Sequence, residues 1–191
     1  MGFDVRRGVL GLALVGVLGL ATSGGAVTVE GAAFPDSLRS REANLSLHRA
    51  ALLRWMRLVK VYVAALYLAP GGDAGRVLED VPKRLEIEYL RGFTREQFVE
   101  VTEAKLADNV DAETFARLRP RIDELNALYR DVEAGDRYAL TYVPGEGTEL
   151  SYNGKPLGRV EGAEFGAAMF AIWLGPAPVD ERLKRELLGN G

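Results

Sequence analysis

One stretch of the chain constrains the fold more than any other: it runs from Arg54 to Leu68, is predominantly apolar and is rich in β-branched and aromatic residues. Side chains alternate between the two faces of a strand, and both faces of this stretch are mostly apolar. The pattern therefore predicts one long central strand over 54–68, covered by protein on both sides or by a ligand on one. A charged side chain at the edge of a core strand needs a partner, which makes Arg54 the residue to explain.

Turn and capping signals predict shorter strands and several helices around this central strand. Strand patterns lie at 27–30, 45–48, 84–90, 137–143, 148–152 and 156–160. Helical patterns lie at 94–107, 112–133 and 164–174, and a last helix is capped by Asp180. Thr94 and Gln97 have capping-box spacing, Pro120 predicts a kink or break in the second helix, and Asn153-Gly154 predicts a tight hairpin. Strands followed by helices predict an α+β fold, with a mainly antiparallel sheet covered on one side by helices.

The first 26 residues have the pattern of a secretory signal peptide. A charged start at Arg6-Arg7 precedes an apolar stretch, 8–21, and a run of small residues that ends at Ala26. The stretch is too short to span a bilayer, which takes about 20 predominantly apolar residues. We therefore expect cleavage after Ala26, a periplasmic or otherwise exported protein and one domain over 27–191. An uncleaved N-terminal anchor is the alternative.

Composition excludes several classes of protein. The formal net charge is −3, and Lys and Arg are scattered among acids, so no basic surface for nucleic acid is predicted. The chain has no cysteine, which excludes disulfides, thiolate nucleophiles and cysteine zinc sites. His48 is the one histidine, and a lone histidine in a strand is more often structural than a ligand, so we expect no metal and no cofactor. Trp55 and Trp173 are expected in the core or in the lining of a cleft.

Several motifs follow one another in a fixed order along the chain: Arg54, 60–68, Gly135-Asp136, 142–145, Asn153-Gly154, Phe165, 172–175 and 183–189. Together they resemble the bacterial chalcone isomerase-like proteins over nearly the whole mature chain. The resemblance implies the chalcone isomerase fold, an open-faced antiparallel β-sandwich with helices packed on one face of a large sheet. It also implies an apolar cleft between the sheet and the helices.

The resemblance implies roles for particular residues. In the plant isomerases an arginine steadies a developing oxyanion, while threonine, tyrosine and asparagine arrange water and substrate. Arg54 falls where that arginine lies, and a guanidinium offers forked donors to an oxyanion or a carboxylate. Tyr62 stands at the threonine, Phe98 at the tyrosine and Lys105 at the asparagine. Phe98 has no hydroxyl to hold a water, so this chain departs from the catalytic pattern.

These residues predict a non-catalytic binder of a fatty acid or a similar small amphiphile. Arg54 is expected on the ligand carboxylate, with Tyr62 and Phe98 in the cleft. An intramolecular lyase or isomerase, with Arg54 as its catalytic residue and an unknown conjugated substrate, is one alternative. A haem-binding protein with His48 as axial ligand is another. A purely structural role, in which Arg54 pairs with a nearby acid, is the third. We expect neither a nucleic-acid partner nor a stable membrane span after signal cleavage.

Overall fold

The computed structural model describes residues 25–39 and 43–190. The predicted signal peptide lies outside the described residues, apart from its last two positions, 25 and 26. Within the described ranges, no helix combines the length and the apolar character that crossing a bilayer requires.

One large antiparallel sheet forms the centre of the molecule. Its seven strands are β3 (Ser37–Arg39), β4 (Asn44–Trp55), β5 (Val59–Leu68), β6 (Lys83–Tyr89), β7 (Arg137–Val143), β8 (Gly147–Tyr152) and β9 (Lys155–Val160). Each strand pairs with the next one along the chain, so strand order in the sheet follows sequence order. A separate two-stranded hairpin precedes it, made of β1 (Ala26–Val29) and β2 (Ala32–Pro35). The predicted, mainly antiparallel sheet is confirmed, and its strands form a meander.

Two pairs of helices cover one face of the sheet. The helices of the described chain are α1 (Arg95–Asn109), α2 (Ala112–Leu128), α3 (Ala163–Leu174) and α4 (Glu181–Leu188), with a short 3-10 turn at Ala74–Arg76. Their apolar side chains form the main core with one face of the sheet, whereas the β1–β2 hairpin packs Ala32 and Phe34 on the other face. The α+β class, with helices on one face of a large antiparallel sheet, is therefore confirmed.

β5 is the central strand that the apolar pattern predicts. All residues over 62–68 are buried. Tyr62, Ala64 and Leu66 belong to the core under the helices, and Val63 and Ala65 belong to the core under the β1–β2 hairpin. Both faces of this segment are thus covered by protein, as expected for a strand without polar alternation.

The prediction of one strand over 54–68 is wrong, because the chain reverses direction between β4 and β5. Met56 and Arg57 have φ values of 50° and 64°, and the Leu58 amide donates to the Trp55 carbonyl at 3.1 Å. This geometry matches the left-handed two-residue turn that fits the twist of a hairpin. Such turns normally contain Asn or Gly, so a turn of Met and Arg carries no sequence signal.

Pro120 does not break α2, which is continuous over Ala112–Leu128. Proline removes the amide that would bond the Ala116 carbonyl. Both Ala116 and Pro120 are exposed, so water solvates the freed carbonyl and the cost stays small. The helix ends at Leu128 instead of Glu133, since Val132 leaves it to form an isolated bridge with Phe93. The capping box of Thr94 with Gln97 is confirmed at the start of α1.

Candidate ligand cavity

An apolar cavity of about 410 Å³ lies between the sheet and the helices. Ligand pockets in proteins typically measure about 300–1,000 Å³ and are lined mainly by apolar side chains with a few polar groups. Strands β4, β5 and β6 contribute Leu53, Val61, Tyr62 and Ile87, while α1 and α3 contribute Phe98 and Trp173. The cavity thus occupies the place where the sequence predicts a cleft.

Aromatic rings pack around Phe98 in the lining of this cavity. Its ring centroid lies 5.3 Å from that of Tyr89, 5.3 Å from that of Tyr138 and 5.4 Å from that of Tyr129. Tyr89 in turn lies 5.8 Å from Tyr62. The Phe98–Tyr129 pair is stacked and the others are edge-to-face, and both arrangements at such distances stabilise aromatic clusters beyond simple area burial. Tyr62 and Phe98, both expected in the cleft, are brought together in the lining through Tyr89.

Tyr62 presents a neutral hydrogen-bond donor to the cavity. The indole nitrogen Nε1 of Trp173 donates to the Tyr62 hydroxyl oxygen at 3.1 Å. Because the indole can only donate, the phenolic hydrogen of Tyr62 stays available for another acceptor. Burial raises the pKa of Tyr62 well above its ordinary value, although the bond from Trp173 opposes the shift. The phenol is therefore un-ionised at physiological pH.

A second neutral polar group is formed by Thr102 and Tyr129. Their hydroxyl oxygens lie 3.0 Å apart, and one of them donates to the other. The second hydroxyl hydrogen of the pair is thus available to donate to another group. Burial raises the pKa of Tyr129 to about 12. Sequence reasoning missed this pair, because it joins α1 to the end of α2 and neither residue belongs to a recognisable motif.

The charged side chain in the described lining is the Glu100 carboxylate, which lies at the rim. Gln97 and Glu100 line the edge on α1, and both residues are exposed. In the part of the chain that the structure describes, no lysine or arginine contributes to the lining. A ligand anion inside the cavity would therefore meet neutral hydroxyls and apolar carbon without a cation to neutralise it.

Arg54 lies on the opposite face of the sheet. Its guanidinium bonds the Glu30 carboxylate at 3.1 Å, and the Nζ atom of Lys60 bonds the same carboxylate at 2.6 Å. Arg54 and Lys60 are directly cross-strand, and like charges in that position repel, so Glu30 from the β1–β2 turn offsets the repulsion. The hydrogen bond from Lys60, helped by the charge of Arg54, holds the pKa of Glu30 below its ordinary value. This is the arrangement that a structural role for Arg54 requires.

His48 and Lys105 also lie outside the lining. The His48 Nε2 atom is 3.5 Å from the Leu188 carbonyl at the end of α4. A haem ligand would instead need a ring nitrogen facing a slot that admits the porphyrin, so this placement does not favour the haem alternative. Lys105 pairs with Asp108 on the surface of α1 at 2.8 Å. Among the described residues, no cluster of three or more His, Cys, Asp or Glu side chains is arranged to hold a metal ion.

Comparison with known proteins agrees with this architecture. The crystal structure of a fatty-acid binding protein from Arabidopsis thaliana superposes with a TM-score of 0.67 at 15% sequence identity, covering 87% of this chain and 97% of that one. At this identity the likeness concerns the fold. No curated protein sequence matches the chain. A family model described as chalcone isomerase-like matches residues 26–189, and the chain therefore belongs to the chalcone isomerase-like family.

Proposed function

We propose that this protein is a non-catalytic binder of a fatty acid or a similar long-chain amphiphile, held in the cavity between the sheet and the helices. The observation that carries the proposal is an apolar cavity of about 410 Å³ in which Tyr62 and the Thr102–Tyr129 pair offer neutral donors. The fold neighbour described as a fatty-acid binding protein supports it.

The geometry favours binding over catalysis. An isomerase of the plant type needs a cation or an array of donors at the oxygen where negative charge develops. Arg54 is the residue that the resemblance assigns to that task, and its guanidinium is bonded to Glu30 on the other face. Arg54 therefore forms no part of the proposed binding site.

The chemistry of the lining also indicates how the ligand is oriented. The acyl chain occupies the cavity, where it contacts side chains such as Leu53, Ile87 and Phe98. A carboxylate head stays at the water-exposed rim, because an unpaired anion inside would lose its hydration. An uncharged head, such as an alcohol or an ester, can instead enter and accept a hydrogen bond from Tyr62.

Export belongs to the same proposal and rests on the N-terminal sequence. It is tested by expressing the full chain in a Gram-negative host and measuring the intact mass of the protein released from the periplasm. A mature chain that starts at Val27 supports export, and a full-length chain retained in the cytoplasm contradicts it.

Ligand binding is tested with purified protein by native mass spectrometry and by titration with a fluorescent fatty-acid probe. We expect one acyl ligand per cavity, displaced by palmitic acid and by the matching alcohol. The alcohol should compete at least as well as the acid, since the lining provides no cation. Failure of both compounds to displace the probe, together with a ligand-free spectrum, would overturn the proposal.

A further inference from the structure

The β4–β5 turn carries a concentrated apolar surface. We call residues 55–59 the hairpin tip. Trp55 is 61% exposed, Met56 72%, Leu58 85% and Val59 37%. Elsewhere in the described ranges, the large apolar side chains with comparable exposure are Val27 and Val101. Scattered exposed apolar residues are ordinary, but a contiguous group marks an interaction site. The placement of Trp55 here also corrects the expectation that it lies in the core or the cleft.

The charges around the hairpin tip are mainly positive. Arg57 is its one charged residue, is exposed and has no ionic partner among residues 25–39 and 43–190. At the base of the tip, Arg54 and Lys60 share the single carboxylate of Glu30. The hairpin tip and its base thus carry three cations and one paired carboxylate, on a chain whose formal net charge is −3. The local field attracts an anionic surface, whereas the molecule as a whole does not.

We propose that the hairpin tip docks on an anionic lipid bilayer. Tryptophan is enriched where a membrane meets water, and basic residues beside it are drawn to anionic head groups. Inserting the turn into the membrane interface leaves this part of the backbone hydrogen-bonded, because the Leu58 amide already donates to the Trp55 carbonyl. A specific protein partner would instead need about 800 Å² on each side, contributed by 20 to 30 residues, which a five-residue tip does not provide.

The strand segments that flank the hairpin tip line the cavity. Leu53 precedes it on β4 and Val61 and Tyr62 follow it on β5, and all three line the cavity. Docking would therefore place the lining beside the acyl chains of the bilayer and let a ligand pass between them with little exposure to water. This use of the cavity rests on the proposed function, whereas docking itself is measured separately.

The test is flotation of the purified protein with vesicles. One set contains phosphatidylcholine alone, and the other contains equal parts of phosphatidylcholine and phosphatidylglycerol. We expect binding to the anionic set, weakened by salt, with little binding to the neutral set. Leu58→Asp and Arg57→Glu should each lower the bound fraction about tenfold, since each removes one of the two attractions. Val27→Asp places the same charge at an exposed position outside the hairpin tip and should change the bound fraction less than about twofold.

The outcomes separate this inference from the proposed function. No binding to anionic vesicles, or equal binding by wild type, Leu58→Asp and Arg57→Glu, would overturn docking. Concentration-dependent dimers that Leu58→Asp abolishes, without vesicle binding, would assign the hairpin tip to a second copy and would also overturn it. Leu58→Asp should leave fluorescent fatty-acid binding in solution unchanged. Loss of vesicle binding with intact fatty-acid binding would therefore show that the hairpin tip acts in docking and not in ligand binding. Docking without ligand binding would instead contradict only the proposed function.

Discussion

Leu53 and Arg54 are adjacent in the chain, yet their side chains lie on opposite faces of the sheet. Leu53 lines the cavity, and Arg54 bonds Glu30 under the β1–β2 hairpin. The alternation of a single strand therefore separates a residue that lines the cavity from the residue that the family resemblance assigns to a ligand.

This separation gives a matched pair of variants. Leu53→Trp fills part of the cavity and should weaken fluorescent fatty-acid binding about tenfold or more. The larger side chain takes space that the acyl chain would occupy. Arg54→Gln keeps a polar side chain on the other face and should change the affinity less than twofold. Circular dichroism and thermal melting check that both variants fold. A large loss of affinity in Arg54→Gln with an intact fold would return Arg54 to the binding site.

Replacing the two turn residues should stabilise the protein. Met56 and Arg57 adopt left-handed conformations that cost L-residues roughly 1–2 kcal/mol each. The double change Met56→Asn and Arg57→Gly supplies the residues that this turn prefers. Asn keeps part of the strain and Gly loses more chain entropy on folding, so we expect the free energy of unfolding to rise by only about 1 kcal/mol. Urea denaturation measures it. The same double variant should bind anionic vesicles less well, because it removes a methionine and an arginine from the hairpin tip.

Tyr129 should make the protein less stable in alkali. Burial raises its folded pKa to about 12 from the ordinary value of 10.0. Above pH 10 the unfolded chain releases a proton that the folded chain retains, so the stabilisation present below pH 10 declines as the pH rises toward 12. The loss attributable to Tyr129 is roughly 2 to 3 kcal/mol. Tyr129→Phe should show a shallower decline over this interval in urea denaturation at successive pH values; an unchanged slope would contradict the assignment.

Lys83 should act in the opposite direction. It is fully buried at the start of β6, where its Nζ atom donates to the Glu79 carbonyl at 2.6 Å and lies 4.5 Å from the centroid of the Tyr142 ring. Burial lowers its pKa to about 8 from the ordinary value of 10.5. Between these values the unfolded chain holds a proton that the folded chain has released, so stability increases with pH in that window.

The variant that isolates this effect is Lys83→Met, which keeps the volume and removes the charge. We expect the increase in unfolding free energy between pH 8 and 10.5, up to about 3 kcal/mol in the wild type, to disappear in the variant. Lys105→Met serves as the control, since Lys105 lies in a surface pair with Asp108 and should leave the wild-type profile intact. A Lys83→Met profile that still rises would show that another group is responsible.

Local signals predicted the parts of the fold that depend on local chemistry. The capping box at Thr94, the Asn153-Gly154 hairpin and the coverage of both faces over 62–68 all follow from residues that are neighbours in sequence. The turn at Met56 and Arg57 was missed because tertiary structure holds two residues in a conformation that they rarely adopt.

The candidate site was harder to predict, for a related reason. Tyr62 and Phe98 could be expected in a cleft, because the strand pattern and the helix pattern indicate which face of each element points inward. The partner of Arg54 is Glu30, which is brought to it by a turn 24 residues upstream. Thr102 and Tyr129 meet across 27 residues. The hydrophobic periodicity of a sequence does not indicate such contacts, since they depend on how the helices and strands pack.

The sequential order of the strands has a consequence for how the chain reaches its folded state. Most neighbouring strands in the sheet are joined by short connections, and such contacts form with little loss of chain entropy. The β5–β6 connection, 69–82, is longer, and β6 and β7 are the farthest apart in sequence, because α1 and α2 lie between them. We expect the β6–β7 pairing to form late and to limit the folding rate. The formation of α1 and α2 shortens the segment between the two strands, and the two halves of the sheet can then pair.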